Sequence, residues 1–228
     1  MAERLFHQLF EAILQGELAP GSKISEPLLA QKYSVSRGPL REALHRLQER
    51  HLITRSANHG SRVAEATPAS LSELFKVREM LESLAAREAA LNCTAEDLMT
   101  LQSMVDLHEA RILGTAPERQ TGLSSVDRDF HFLIAQRSNN PFLIRLLCHE
   151  LYPLLRLYRS KYRNTDYRKR ALLEHRRILG ALEDKDPDMA EMMMRRHIAG
   201  ARERRLETMG DDGSAQPKRR AKRADVQR

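Results

Sequence analysis

The sequence predicts a mainly α chain in two parts, an N-terminal winged helix-turn-helix and a C-terminal all-α six-helix bundle. Three observations predict it. Residues 25–47, SEPLLAQKYSVSRGPLREALHRL, read as two short helices joined by a tight turn. An Asn58-His59-Gly60 turn then sits between two short, partly β-branched segments, as in a hairpin. From Ser70 to about Met209, helical periodicity continues and no strand pattern recurs.

The first helix is amphipathic: Leu5, Leu9 and Ile13 recur with Phe6, Phe10 and Leu14, and Gly16 is placed to end it. Ser25 is placed to N-cap the second helix and Ser36 the third, where Pro39 is tolerated in the first turn. In that third helix Leu40, Ala43, Leu44 and Leu47 form an inward apolar face. Arg37, Arg41 and His45 recur every four residues and line up as a basic stripe. A basic stripe near the N-terminus of the second helix of such a motif is where base edges and phosphates are met, although a solvated helix face has the same pattern. The wing strands are expected at Leu52–Ser56 and Ser61–Ala64. Asn58 and Gly60 tolerate positive φ in the connection, and Arg55, His59 and Arg62 surround it.

Beyond Ala66-Thr67-Pro68 the helical pattern breaks at 92–94, 114–122, 139–141, 164–166 and 184–187, which gives six helices. Leu71, Leu74, Val77, Leu81 and Leu84 stripe the first of them. The expected organisation is a DNA-binding domain over 1–66, a helical domain over 70–209 and a disordered tail over 210–228. The net charge of +7 is spread unevenly. The tail holds six basic and three acidic residues with little apolar content, and either adds nonspecific DNA affinity or solubilises the chain. No apolar run is long enough to span a bilayer and the N-terminus lacks a signal-peptide pattern, so a cytoplasmic location is expected. Cys93 and Cys148, the only cysteines, are expected as buried reduced thiols.

The chemistry of the second part rests on four residues. Asp127 and His131 stand one turn apart on one helix. His175 lies in an apolar stripe with Leu172, Leu179 and Leu182, and His197 in one with Ala190, Met193, Met194 and Ala201. Three imidazoles and a carboxylate meeting from separate helices suit one zinc, nickel or similar borderline ion. Each histidine taken singly is more often a hydrogen-bonded core residue, and spacing leaves both readings open.

Residues 13–64, through GELAPGSKISEPLLA, VSRGPLREALHRL and NHGSRVA, resemble the N-terminal domain of GntR-type transcriptional regulators. Residues 70–209, through VREMLESLAAREAA, DRDFHFLIAQRSNNP, EHRRILGALEDKD and RRHIAGA, resemble the helical effector domain of the FadR-like branch, the FCD domain. Six helices rather than seven point to its VanR-type subgroup. The resemblance implies DNA contacts by Arg37, Arg41 and the wing tip at His59 and Gly60, with Ser36 and His45 beside them. Gly38 stands where the family often has Thr or Ser, which removes a hydroxyl contact. It also implies a divalent metal, zinc or nickel, on Asp127, His131, His175 and His197, and Arg78 as anchor for a small carboxylate effector. Arg78 is four residues before Glu82, so a salt bridge between them is the competing reading.

The implied function is a ligand-responsive regulator, most often a repressor in this family, that binds a pseudo-palindromic double-stranded DNA operator as a homodimer. Two rivals remain: a metal-dependent hydrolase, because an open metal site can activate water, and a DNA binder with a purely structural metal. Against the hydrolase, no general base is evident beside the ligands; Glu174 adjoins His175, but adjacent helical residues point about 100° apart. No nucleophile elbow, phosphate loop or dinucleotide fingerprint occurs in the sequence.

Overall fold

The computed structural model describes residues 1–56, 60–65, 67–116, 125–158 and 165–213. Helix α1 (Ala2–Leu14) buries Leu5, Phe6, Leu9, Ala12 and Ile13, the face its periodicity predicts. Gly16 follows at φ +82°, a left-handed conformation that costs glycine little, and closes the helix. Helices α2 (Glu26–Tyr33) and α3 (Arg37–Glu49) are joined through Ser34 at φ 51°. Ser25 and Ser36 occupy the two N-cap positions in extended backbone, but neither side chain makes the capping bond the sequence suggests. Leu40, Ala43, Leu44 and Leu47 of α3 are buried as expected.

The wing is an antiparallel pair, β2 (Ile53–Ser56) and β3 (Gly60–Val63), with Ser56 opposite Gly60 and Ile53 opposite Val63. Gly60 takes φ +74° at the turn, which explains a glycine there. A third strand, β1 (Lys23–Ile24), pairs with the other edge of β3 and gives the order β1-β3-β2. Two residues are too short to leave a period-2 signal, so the pattern could not announce it. Ile24, Leu29, Leu52, Ile53 and Val63 join α1 and α3 in one apolar core.

The helical part begins with α4 (Pro68–Asn92), capped by a reciprocal Thr67–Ser70 box, and α5 (Ala95–Ile112), capped by Thr94 and Asp97. Then come α6 (Ser125–Arg137), α7 (Pro141–Ile144), a π-helical segment (Arg145–Leu151), α8 (Tyr152–Tyr158), α9 (Thr165–Glu183) and α10 (Pro187–Gly213). α7, the π segment and α8 follow one another without a gap, so the described residues form six helical rods. The breaks at 92–94, 139–141 and 184–187 fall where expected, while α9 already begins at Thr165 and α10 runs on to Gly213 into the expected tail. Most of the expected break at 114–122 lies outside the described residues. Pro153 accounts for the π turns: it has no N–H for the His149 carbonyl and its ring crowds that oxygen. The Tyr152 N–H just before it reaches back five residues to the Leu147 carbonyl.

The second core gathers Leu71, Phe75, Leu101, Phe130, Leu147, Leu179 and Met194 among others. α4 departs from its predicted stripe. Its buried face is Leu71, Phe75, Arg78, Glu82, Ala85, Ala86 and Ala89, whereas Val77 and Leu84 are exposed. Alanines let α10 lie close against the end of α4, and a charged pair occupies the middle of the inward face.

Candidate metal centre and nucleic-acid interface

α3 presents Arg37, Gly38, Arg41 and His45 to solvent on the side opposite its buried leucines, with Ser36 exposed just before it. Arg41 Nε donates to Glu26 on α2 at 3.2 Å, and His45 lies 3.4 Å from Glu49. All are surface contacts of the kind worth about 1 kcal/mol or less, readily exchanged for phosphate. An added Cβ at Gly38 would meet nothing within 4 Å. On the wing, Arg62 donates to the Gly21 carbonyl at 3.0 Å, so it braces the sheet, and Arg55 is exposed. Gly60 is exposed and shapes the turn; His59 lies outside the described residues.

In the helical part, His131 of α6, His175 of α9 and His197 of α10 converge, each almost wholly buried. One nitrogen from each falls within 4.8 Å of the other two. His131 Nε2 and His197 Nε2 are 3.2 Å apart. Two nitrogens about 2.0–2.1 Å from one tetrahedral centre would be roughly 3.3 Å apart, so the spacing fits a shared ion of zinc size. The His175 ring stacks on Phe130, centroids 4.4 Å apart at 20°, and its centroid is 4.7 Å from that of His197. Tyr152 donates its hydroxyl hydrogen to the His131 carbonyl at 3.2 Å, which fixes that turn of α6. Asp127 belongs to the same helix, one turn before His131, and its side chain lies outside the described residues.

Arg78 makes the salt bridge that the sequence offered as the competing reading. It is buried and donates from Nε to Glu82 Oε1 at 2.5 Å, and Glu82 Oε2 is 2.6 Å from His131 Nδ1. The pairing uses the Nε–Nη2 edge of the guanidinium, so the i,i+4 salt bridge that competes with the anchor reading is present. Burial pushes the Glu82 carboxyl up, but Arg78 and then His131 outweigh it and hold it down at about 2. A matching arrangement stands on the other side. Glu174 Oε2 is 2.7 Å from His197 Nδ1 and accepts from Arg204 at 2.9 Å. Burial raises Glu174 too, yet His197 and Arg204 leave it below the usual carboxylate range.

Sequence reasoning missed Glu82, Glu174 and Arg204 as part of this site. The geometry that set Glu174 aside is right for His175; Glu174 instead crosses to His197 on α10. His108 of α5 was missed as well: it is buried, with its ring 5.8 Å from that of His175. The two cysteines are buried free thiols. Burial first, and Asp97 or Glu82 second, push them up to about 11, so both stay protonated and unreactive.

A solvent-facing helix and wing, joined to a helical domain that closes over a buried histidine cluster, define a winged helix-turn-helix regulator with a second, all-helical domain. Residues 1–63 match the gntR family of bacterial regulatory proteins, and residues 73–200 match the FCD domain. The chain belongs to the GntR family of transcriptional regulators, in the branch that carries an FCD domain. The Uxu operon transcriptional regulator of Escherichia coli (strain K12) is 30% identical over 217 residues, covering 86% of this chain and 83% of that protein. The Nta operon transcriptional regulator of Aminobacter aminovorans is 31% identical over 183 residues, covering 78% and 82%. A putative GntR regulator from Rhodococcus sp. RHA1 shares the fold at TM-score 0.68 and 23% identity, covering 90% of this chain and 97% of that one. These relatives are regulators, not enzymes, which sets the hydrolase reading aside.

Proposed function

We propose that this chain is a metal-dependent, ligand-responsive repressor with a DNA-binding domain over residues 1–66 and a sensing domain over 70–209. The observation that carries the reading is the convergence of His131, His175 and His197 in a buried site with zinc-like spacing. Asp127, one turn before His131, completes a set suited to zinc or nickel. Such an ion would supply Lewis acidity toward an anionic oxygen when bound. Small carboxylates are the effector class. Arg78, with Glu82 on one edge of its guanidinium, is one carboxylate anchor; a second is Arg111, one turn beyond His108 on α5, whose Nε is buried and has no hydrogen-bond partner among the described residues.

Operator contact is assigned to Ser36, Arg37, Arg41 and His45 of α3 and to the wing tip at His59 and Gly60. A homodimer matches the two half-sites of a pseudo-palindrome. Val77, Met80, Leu84 and Leu91, exposed along α4, supply an apolar surface for the second copy.

The test is elemental analysis of the gently purified chain, with thermal melts in zinc, chelator and a panel of small carboxylates, and operator titration by anisotropy. About one divalent ion per chain is expected, with operator affinity changed by at least one acid. Arg37→Ala or Arg41→Ala should weaken operator binding by about 1–3 kcal/mol without lowering the melting temperature. A chain that binds no divalent ion overturns the metal assignment. Metal uptake with no response to any acid would make the ion structural.

A further inference from the structure

Two chains of the same composition, one buried and one part-buried, converge on the histidines. In one, Arg78 holds Glu82, and Glu82 stands 2.6 Å from His131 Nδ1. In the other, Arg204 Nη1 and Nη2 donate to Glu174 Oε1 and Oε2 at 3.1 and 2.9 Å, and Glu174 Oε2 stands 2.7 Å from His197 Nδ1. The first links α4 to α6 and the second links α9 to α10. In both, the carboxylate meets the outer ring nitrogen, and the two inner Nε2 atoms are left facing each other at 3.2 Å. A carboxylate on Nδ1 keeps the proton there and leaves the lone pair on Nε2, the tautomer a metal ligand needs. His175 is oriented by other means, its ring stacked on Phe130.

Stability is a poor explanation for two such pairs. Arg78 and Glu82 are 4% and 2% exposed, and Arg204 and Glu174 are 9% and 19%, so the first pair is fully buried and the second mostly so. Desolvating the Arg78–Glu82 pair costs about as much as its attraction returns, and apolar replacements of similar size are often neutral or stabilising; the part-buried second pair has a smaller cost and a weaker attraction. Two such pairs, each ending on a histidine of one cluster, instead serve the orientation of those rings.

We infer that Arg78–Glu82 and Arg204–Glu174 are positioning pairs that set the tautomer and direction of His131 and His197, so that both present Nε2 to one divalent cation. The inference rests on the metal-binding reading above. It assigns four residues outside the proposed ligand set to the affinity of the site.

The experiment uses the full chain and two probe ions, Zn²⁺ and Co²⁺. Zinc affinity is read by competition with a chromogenic chelator and cobalt geometry by visible absorption. The variants are Glu82→Gln, Glu174→Gln, the paired replacements Arg78→Met/Glu82→Gln and Arg204→Met/Glu174→Gln, and Arg204→Lys. Each glutamine or paired variant should lower zinc affinity about 10–100-fold and alter the cobalt spectrum. Arg204→Lys, which keeps a cation beside Glu174, should recover part of the loss. The paired variants leave no unpartnered buried charge, so their metal-free melting temperatures should stay near wild type while affinity remains low. A merely structural role would restore affinity together with stability. If a paired variant fails to fold, the single glutamine variants, which keep side-chain size, decide the matter. Paired or glutamine variants that fold and bind zinc as tightly as wild type overturn the inference. A wild-type chain that takes up neither ion overturns the metal reading itself, and the inference with it.

Discussion

Two glycines inside helices should respond in opposite ways to the same substitution. Gly180 lies in α9 and Gly200 in α10. A Cβ built on Gly180 meets nothing within 4 Å, so Gly180→Ala should collect the ordinary helix-propensity gain of about 1 kcal/mol. A Cβ on Gly200 would stand 2.9 Å from Arg204 Nη1 and 3.7 Å from Glu174 Oε1. Ordinary contact distance requires the guanidinium to retreat by at least about 0.5 Å. That takes the 3.1 Å bond from Nη1 to Glu174 Oε1 to the limit of a hydrogen bond. Losing a bond between charged partners costs about 1.5–3 kcal/mol. The propensity gain is therefore cancelled or reversed in Gly200→Ala. With about 2–4 °C per kcal/mol for a chain of this size, Gly180→Ala should melt about 2–4 °C above wild type and Gly200→Ala at or below it. Melts in chelator isolate this effect from metal binding. A zinc titration should then show weakened affinity only in Gly200→Ala, because Glu174 loses its arginine. Equal stabilisation of both variants with unchanged zinc affinity would refute the reasoning, since Arg204 would have moved at no cost and its hold on Glu174 would be idle.

Three further outcomes are expected. Gly38→Ser has open space around its new side chain, so stability should change by less than about 0.5 kcal/mol while operator preference shifts, as measured by competition among operator variants. Asp97 feels burial, which raises its pKa, but its bonds with Thr94 and then Arg137 outweigh that and lower it. A depressed carboxyl stabilises the fold above its unfolded value, near 3.9, and loses that contribution as pH falls through the lower folded one. Asp97→Asn should therefore lower the melting temperature at pH 7 and flatten the acid limb below about pH 4, checked by melts across pH. Finally, Glu82 sits on α4, the helix that starts immediately after the wing and its Thr67 cap. In Glu82→Gln saturated with zinc, the change in operator affinity on loading should be smaller than in wild type, where coupled sites typically give about 5–150-fold; anisotropy titrations with and without zinc measure both.

The sequence by itself determined the winged helix-turn-helix and helical fold, the helix breaks at 92–94, 139–141 and 184–187, and the exposed basic stripe. Those features depend on near neighbours in the chain: 3.6-residue periodicity, turn residues and short-range caps. It also picked out His175 and His197, set in apolar stripes, and His131, one turn after Asp127; buried His108 escaped, with no carboxylate one turn before it to single it out. Periodicity gives the face of a helix a residue occupies, but not what lies across from it. α4 illustrates the limit. Its leucines and valine make the more visible stripe, yet Val77 and Leu84 are exposed, and the buried side carries Phe75, Arg78, Glu82 and alanines. A charged pair is acceptable there only because His131 and the surrounding helices complete it, and no window of sequence contains those partners. Glu174 meets His197 across 23 positions, and Arg204 meets Glu174 across 30. Only tertiary structure brings such groups together: burying an ion is tolerable when its partner arrives from another helix, and which helix arrives is decided by packing.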